Sequence, residues 1–407
     1  MAEPVLPRAQ HPSAQRLATA AVFLALGTGI GAWAASIPGI KLGLGLHDAD
    51  LGVALLSMAG GALAGMPLAG WLGHRFAPRR AATATGAGFA LALLLPGAAG
   101  AAGGLPGLII AAAVLGLFAG CVDVLMNAQA ALIERRWGAA IMSSFHAGYS
   151  AGGLLGAAGG GLLLGAGLPP GAVLAAASAL VAALVLGAGL VADLPADAVH
   201  LPAEAALGHQ PRPSAGGGFV WPARAILGIG ALACLAFMIE GAIADWSGLF
   251  LITVAGASPA LGAAGFAAFS VTMAAGRLAG DRLVRALGGR RVMQAGAGLA
   301  VAGFALALGL AAPLAGAIGF GLVGLGLSNV VPVLFSAAGR AHPAAPSVGV
   351  ALASGLGYAG MVGGPPLIGF AADAVGLRLA LLIPLLAAAA IAGAALRPAR
   401  RAALRPG

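Results

Sequence analysis

Five acidic or amide residues and one histidine stand inside otherwise apolar stretches of this 407-residue sequence: Asp123, Asn127, His146, Glu240, Asp245 and Asn329. A carboxylate held among apolar side chains can take up and release a proton, or hold a positive charge. An imidazole nearby exchanges protons near neutral pH. Asp123, Asn127 and Glu134 are spaced by four and then seven positions, so on a helix they lie within about 40° of one another. Asp123 sits deepest of the three, as a cavity or proton-carrying group or as interhelical glue. Asn127 reads equally as a cavity residue or as an amide bonding a neighbouring helix. Glu134, next to Arg135 and Arg136, is expected to form an ion pair at a helix end. His146 follows at a depth similar to Asn127 on the next helix, as a proton exchanger or a packing residue. Glu240 and Asp245 share a later apolar segment, with Asp245 near its far end beside Trp246. Asn329 precedes Pro332, and a proline inside a helix removes a backbone hydrogen bond, so local unwinding is expected there.

Other chemistries are excluded. Cys121 and Cys234 both fall in apolar stretches and give neither a disulfide framework nor a metal spacing. The histidines are scattered, no phosphate-binding loop follows a strand, and no nucleophile constellation occurs, so neither a metal, a cofactor, ATP nor enzymatic catalysis is expected. No lysine or arginine is expected deep in any apolar segment. That argues against a phosphate or di-acid ligand and favours a neutral polyol, an amino-sugar or a cation.

The elements that must position these groups follow from composition. Sixty per cent of residues are hydrophobic and 8% are charged, with a mean hydropathy of +1.00, too little charge to cover a soluble surface. A span needs about 20 apolar residues. Spans are expected near 17–40, 50–73, 81–101, 105–133, 139–165 and 170–192, and near 222–251, 259–283, 291–311, 314–338, 346–371 and 376–396. This is an all-α polytopic membrane protein with twelve transmembrane helices in two pseudo-symmetric six-helix bundles. The bundles cover 17–192 and 222–396, joined by a polar linker over 193–221 and flanked by tails 1–16 and 397–407. The net charge of +9 comes from basic residues between apolar blocks. With both tails cytoplasmic, 19 of the 21 lysines and arginines fall on the inner side, so they set topology and do not bind nucleic acid.

The halves repeat. At an offset of 213, Trp33 meets Trp246, Gly52 meets Gly265 and Ser57 meets Ser270. At an offset of 209 the two tyrosines, Tyr149 and Tyr358, coincide. The polar positions are not duplicated: Glu240 faces Gly27, Asp245 faces Ala32 and His146 faces Gly355. Groups that merely held the fold together would have been copied with it.

The stretch Gly70-Trp-Leu-Gly-His74-Arg75-Phe-Ala-Pro-Arg79-Arg80 resembles the inner-loop motif of the major facilitator superfamily, departing from it at His74, where the family has aspartate, and at Ala77, where it has glycine. The later copy, Gly276-Arg277 through Gly280-Asp281-Arg282, keeps the acid. Trp33 with Ile37-Pro38, Asp123 with Asn127 and Glu134, His146 with Gly148, and Glu240 with Asp245-Trp246 resemble the branch of rhizopine-transport MosC-like proteins. The resemblance implies alternating access by two rocking halves. It also implies that Gly70, His74, Arg75, Arg79 and Arg80, with Gly280, Asp281 and Arg282, form gating loops that latch one conformation. The expected function is a monomeric secondary transporter in a bacterial inner membrane. It would move a small polar or weakly cationic solute with protons, or sodium ions, as coupling partner. The alternative is a multidrug-type exporter of the same fold, which calls for a large apolar, aromatic cavity.

Overall fold

A computed structural model describes residues 12–99, 103–137, 141–191, 224–341 and 346–396. The expected linker and both expected tails apart from residues 12–16 lie outside the described residues.

The first half contains α1 (Pro12–Gly43), α2 (Asp48–Arg75), α3 (Pro78–Ala92), α4 (Leu105–Trp137), α5 (Met142–Gly165) and α6 (Pro170–Gly189). The second contains α7 (Arg224–Thr253), α8 (Pro259–Gly262), α9 (Ala264–Leu287), α10 (Gly289–Leu310), α11 (Pro313–Leu327), α12 (Val330–Ala341), α13 (Pro346–Val375), α14 (Leu377–Ala380) and α15 (Leu382–Leu396). Among the described residues, ten segments are long and apolar enough to cross a membrane. α5 and α13, at 24 and 30 residues, complete two sets of six. Both are diluted by serine, tyrosine and glycine, the price of lining something other than lipid.

Local chemistry explains the boundaries. Pro78 and Pro170 occupy first-turn positions, where a missing N–H costs nothing. Asp48 and Asp50 sit in the first turn of α2, where the helix dipole favours negative charge. There the Asp50 carboxylate accepts the His47 amide at 3.0 Å, and Lys41 reaches Asp48 at 3.1 Å. The third span ends as an α-helix at Ala92 instead of near residue 101, because Pro96 has no amide to give the Ala92 carbonyl. The tenth span is interrupted at Ser328–Asn329, four and three residues before Pro332, as that proline requires.

The repeat is visible in the packing. α1 lies on α5 and α2 on α4; their counterparts α7 and α9 lie on α13 and α11. The α1–α5 seam is nearly backbone to backbone. A methyl group at Gly27 would strike the Tyr149 carbonyl, and one at Gly156 would strike the Thr28 carbonyl. Small residues of this kind let membrane helices gain van der Waals contact without a hydrophobic drive. The halves meet through α2 on α13 and α5 on α9.

Side-chain contacts between the halves gather at one end, opposite the described chain termini. Gly52 abuts Pro366 and Gly369, Gly165 abuts Ala260, and Gly248 faces Pro38. His47 there stands 3.7 Å from Asp373. That end of the bundle is closed.

Candidate functional site

Between the halves lies a cavity of about 350 Å³. Its walls come from single helical stripes. On α9, Phe266, Ser270, Met273 and Arg277 follow one another at steps of four, three and four residues, which keeps them on one face. On α4 the stripe is Gly116, Gly120 and Asp123; on α13 it is Tyr358, Met361, Val362 and Pro365. α7 adds Glu240, Gly241, Ala244 and Asp245, and α5 adds Tyr149, Ser150 and Gly153. α1 and α2 supply an apolar wall that includes Leu26, Ile30, Met58 and Met66. Most of the surface is aliphatic, thioether or aromatic, with few polar groups aimed inward.

Three of the expected site residues meet in this cavity: Asp123, Glu240 and Asp245. Asn127 supports the first of them, its amide nitrogen donating to the Asp123 backbone carbonyl at 2.9 Å and to Oδ1 at 3.2 Å. Asp245 has no hydrogen-bond or ionic partner among the described residues. His146 and Asn329 lie outside the lining. His146 packs edge-on against Phe23, with ring centroids 5.3 Å apart. Asn329 is buried and spends its amide on the Gly276 carbonyl at 2.9 Å and on Ser328 Oγ at 3.0 Å. It thereby stitches the broken tenth span to α9.

The expectation that no arginine or lysine lies deep in an apolar segment is overturned by Arg277. It lies inside α9, ten residues before the helix ends, and lines the cavity. Its guanidinium Nη2 is 3.8 Å from Glu240 Oε1, too long for a hydrogen bond but close enough for an ion pair. Glu240 Oε1 is buried without any hydrogen-bond donor. Assigning Arg277 to a loop came from the resemblance of Gly276–Arg282 to an inner-loop motif. The Phe266–Ser270–Met273–Arg277 stripe was the signal that could have found it. Tyr149 and Tyr358, noticed only as repeat markers, also face the cavity.

Glu134 sits near the end of α4, three residues before Trp137. Its Oε2 accepts the amides of Ile141 at 2.8 Å and Met142 at 2.6 Å, capping α5, which has no cap of its own. Arg136 is exposed, and the Arg135 side chain is outside the described ones. In the first inner loop, His74, Arg75 and Arg80 are exposed near Gly70. Arg79 donates to the carbonyls of Gly189 and Val191 at the end of α6, and Gln129 donates to the Pro78 carbonyl at 2.9 Å. In the second copy, Gly280 packs on Asn329 and Arg282 is exposed, while the Asp281 side chain is outside the described ones.

Comparison with known proteins places this geometry. Residues 17–347 match the model of the Major Facilitator Superfamily. The chain is similar to an uncharacterized MFS-type transporter of Yersinia pestis, 36% identical over 90% of this chain and 91% of that protein. It is also similar to the membrane protein MosC of Rhizobium meliloti, 35% identical over 90% of this chain and 85% of that one. Among solved structures, the nucleoside transporter NupG superposes with a TM-score of 0.74 at 15% identity, covering 94% of this chain and 98% of that one. A bacterial homologue of the lysosomal transporter Spinster superposes with a TM-score of 0.72 at 15% identity, covering 96% and 97%.

Proposed function

We propose, from the premise that this chain belongs to the Major Facilitator Superfamily, that it moves a small polar or weakly cationic solute across the membrane by proton-coupled alternating access. It is an integral membrane transporter and not an enzyme, as its family and relatives are. The observation that carries the finer reading is the gathering of Asp123, Glu240 and Asp245 in one cavity between the halves. Buried carboxylates are costly, on the order of 2.5–3.5 kcal/mol each on insertion scales, and are kept where a proton or a cation must be held. In this reading, Asp123 and Glu240 exchange the coupling proton and the Asn127 amide orients Asp123. The loops around Gly70–Arg80 and Gly280–Arg282 latch the opposite conformation. The membrane is the bacterial inner membrane, with both termini in the cytoplasm and residues 193–221 linking the bundles.

The test is transport in proteoliposomes under an imposed pH gradient. Asp123→Asn and Glu240→Gln should each abolish gradient-driven accumulation while solute exchange at equal pH persists. Accumulation at the wild-type rate in both variants would remove the coupling assignment.

A second reading, a drug-type exporter, draws support from the walls themselves. Phe266, Phe269, Tyr149, Tyr358 and the methionines give an apolar, partly aromatic surface that suits an amphiphilic compound. Resistance profiling of a deletion strain against lipophilic cations separates the two.

A further inference from the structure

Four ionisable groups of fixed sign face the cavity: the carboxylates Asp123, Glu240 and Asp245, and the guanidinium Arg277. With all four charged the cavity carries two net negative charges. Glu240 and Arg277, at 3.8 Å, cancel each other locally. Asp123 has only the neutral Asn127 amide as partner, and Asp245 has none among the described residues. The surrounding walls are apolar and one end of the bundle is closed. A cavity that must be sealed at both ends in passing between states cannot keep unmatched charge cheaply, because desolvated ions gain little from apolar neighbours.

We infer that Arg277 sets the valence of the transported solute, so that the cavity takes an organic monocation together with one proton. This rests on the proton-coupled reading above and deepens it by naming the substrate class. Together the monocation and the proton cancel the two net negative charges of the cavity, whichever carboxylate holds the proton. Without Arg277 the cavity would hold three negative charges, and a dication with one proton would match it instead. The guanidinium acts through charge and not through contact with the solute: it occupies the Glu240 carboxylate and lowers the field at Asp123 and Asp245. Over about 6–8 Å at an effective dielectric of about 20, one unit charge changes binding by more than about tenfold.

Length-matched probes test this. Binding of hexylamine, 1,6-diaminohexane and 1-hexanol to the purified full-length protein is measured by calorimetry at one pH. The wild type should prefer hexylamine over the diamine by about tenfold or more, with 1-hexanol weakest. Arg277→Met should reverse the amine preference by a similar factor, and the double variant Glu240→Gln/Arg277→Met, which removes one charge of each sign, should restore it. If Arg277→Met does not fold, Glu240→Gln alone should push the preference further toward the monoamine. An unchanged amine ratio in Arg277→Met, equal binding of both amines to the wild type, or no hexylamine binding at millimolar concentration overturns the inference. The pH-gradient experiment is scored separately. A valence rule that holds without gradient-driven flux removes the coupling reading and leaves the assignment of Arg277 standing.

Discussion

The indole nitrogens of Trp33 and Trp246 are both buried without an acceptor, and the two residues occupy equivalent places in the repeat. Duplication preserved the ring and its unsatisfied N–H together, so bulk is what both positions require. Trp33→Phe and Trp246→Phe should each change stability by no more than about 1 kcal/mol, since removing an orphaned donor offsets part of the lost volume. Thermal unfolding in detergent measures this, and a loss several times larger would reveal a partner made in the other conformation. At this scale much of the site was legible. A charged residue in an apolar run is conspicuous, and Asp123, Glu240 and Asp245 all reach the cavity. Arg277 was not legible as a site residue, because arginines near a loop motif look like topology signals until the helix is followed to Leu287. His146 and Asn329 were conspicuous for the same reason as the acids, yet the imidazole packs against Phe23 and the amide bonds the Gly276 carbonyl and the Ser328 hydroxyl.

At the scale of the helix, α5 depends on its predecessor. The turn between α4 and α5 brings Glu134 back over the first amides of α5, where the dipole is positive and no local side chain caps. Glu134→Gln keeps the shape and loses the charge, and should cost about 1 kcal/mol, read as a lower unfolding temperature. Glu134→Leu loses both bonds and should cost about twice that. Because α5 carries Tyr149 into the cavity, the leucine variant should also weaken solute binding. Spacing in the sequence located Glu134 correctly at a helix end. Its bonds to the first amides of α5 were hidden, because a backbone amide seven residues ahead leaves no mark in composition. The early end of α3 and the break after α11 were both written in prolines, at Pro96 and Pro332.

For the whole molecule, the six-plus-six architecture was legible because lipid imposes a length on every span and because the chain repeats itself. Which end is closed was not, since that depends on how two rigid bodies lean. Gly165 and Ala260 touch across the closed end. With Cys121 and Cys234 replaced by serine, the pair Gly165→Cys/Ala260→Cys should cross-link under mild oxidation, block transport, and recover on reduction. Cross-linking that leaves transport at full rate would mean that this end never opens. The glycine seam between α1 and α5 constrains how it can open. Two backbones in such contact have no play between them, so the pair travels as one plank. Any hinge of the molecule therefore has to run along the thinner seams of α2 with α13 and α5 with α9, whose residues also line the cavity.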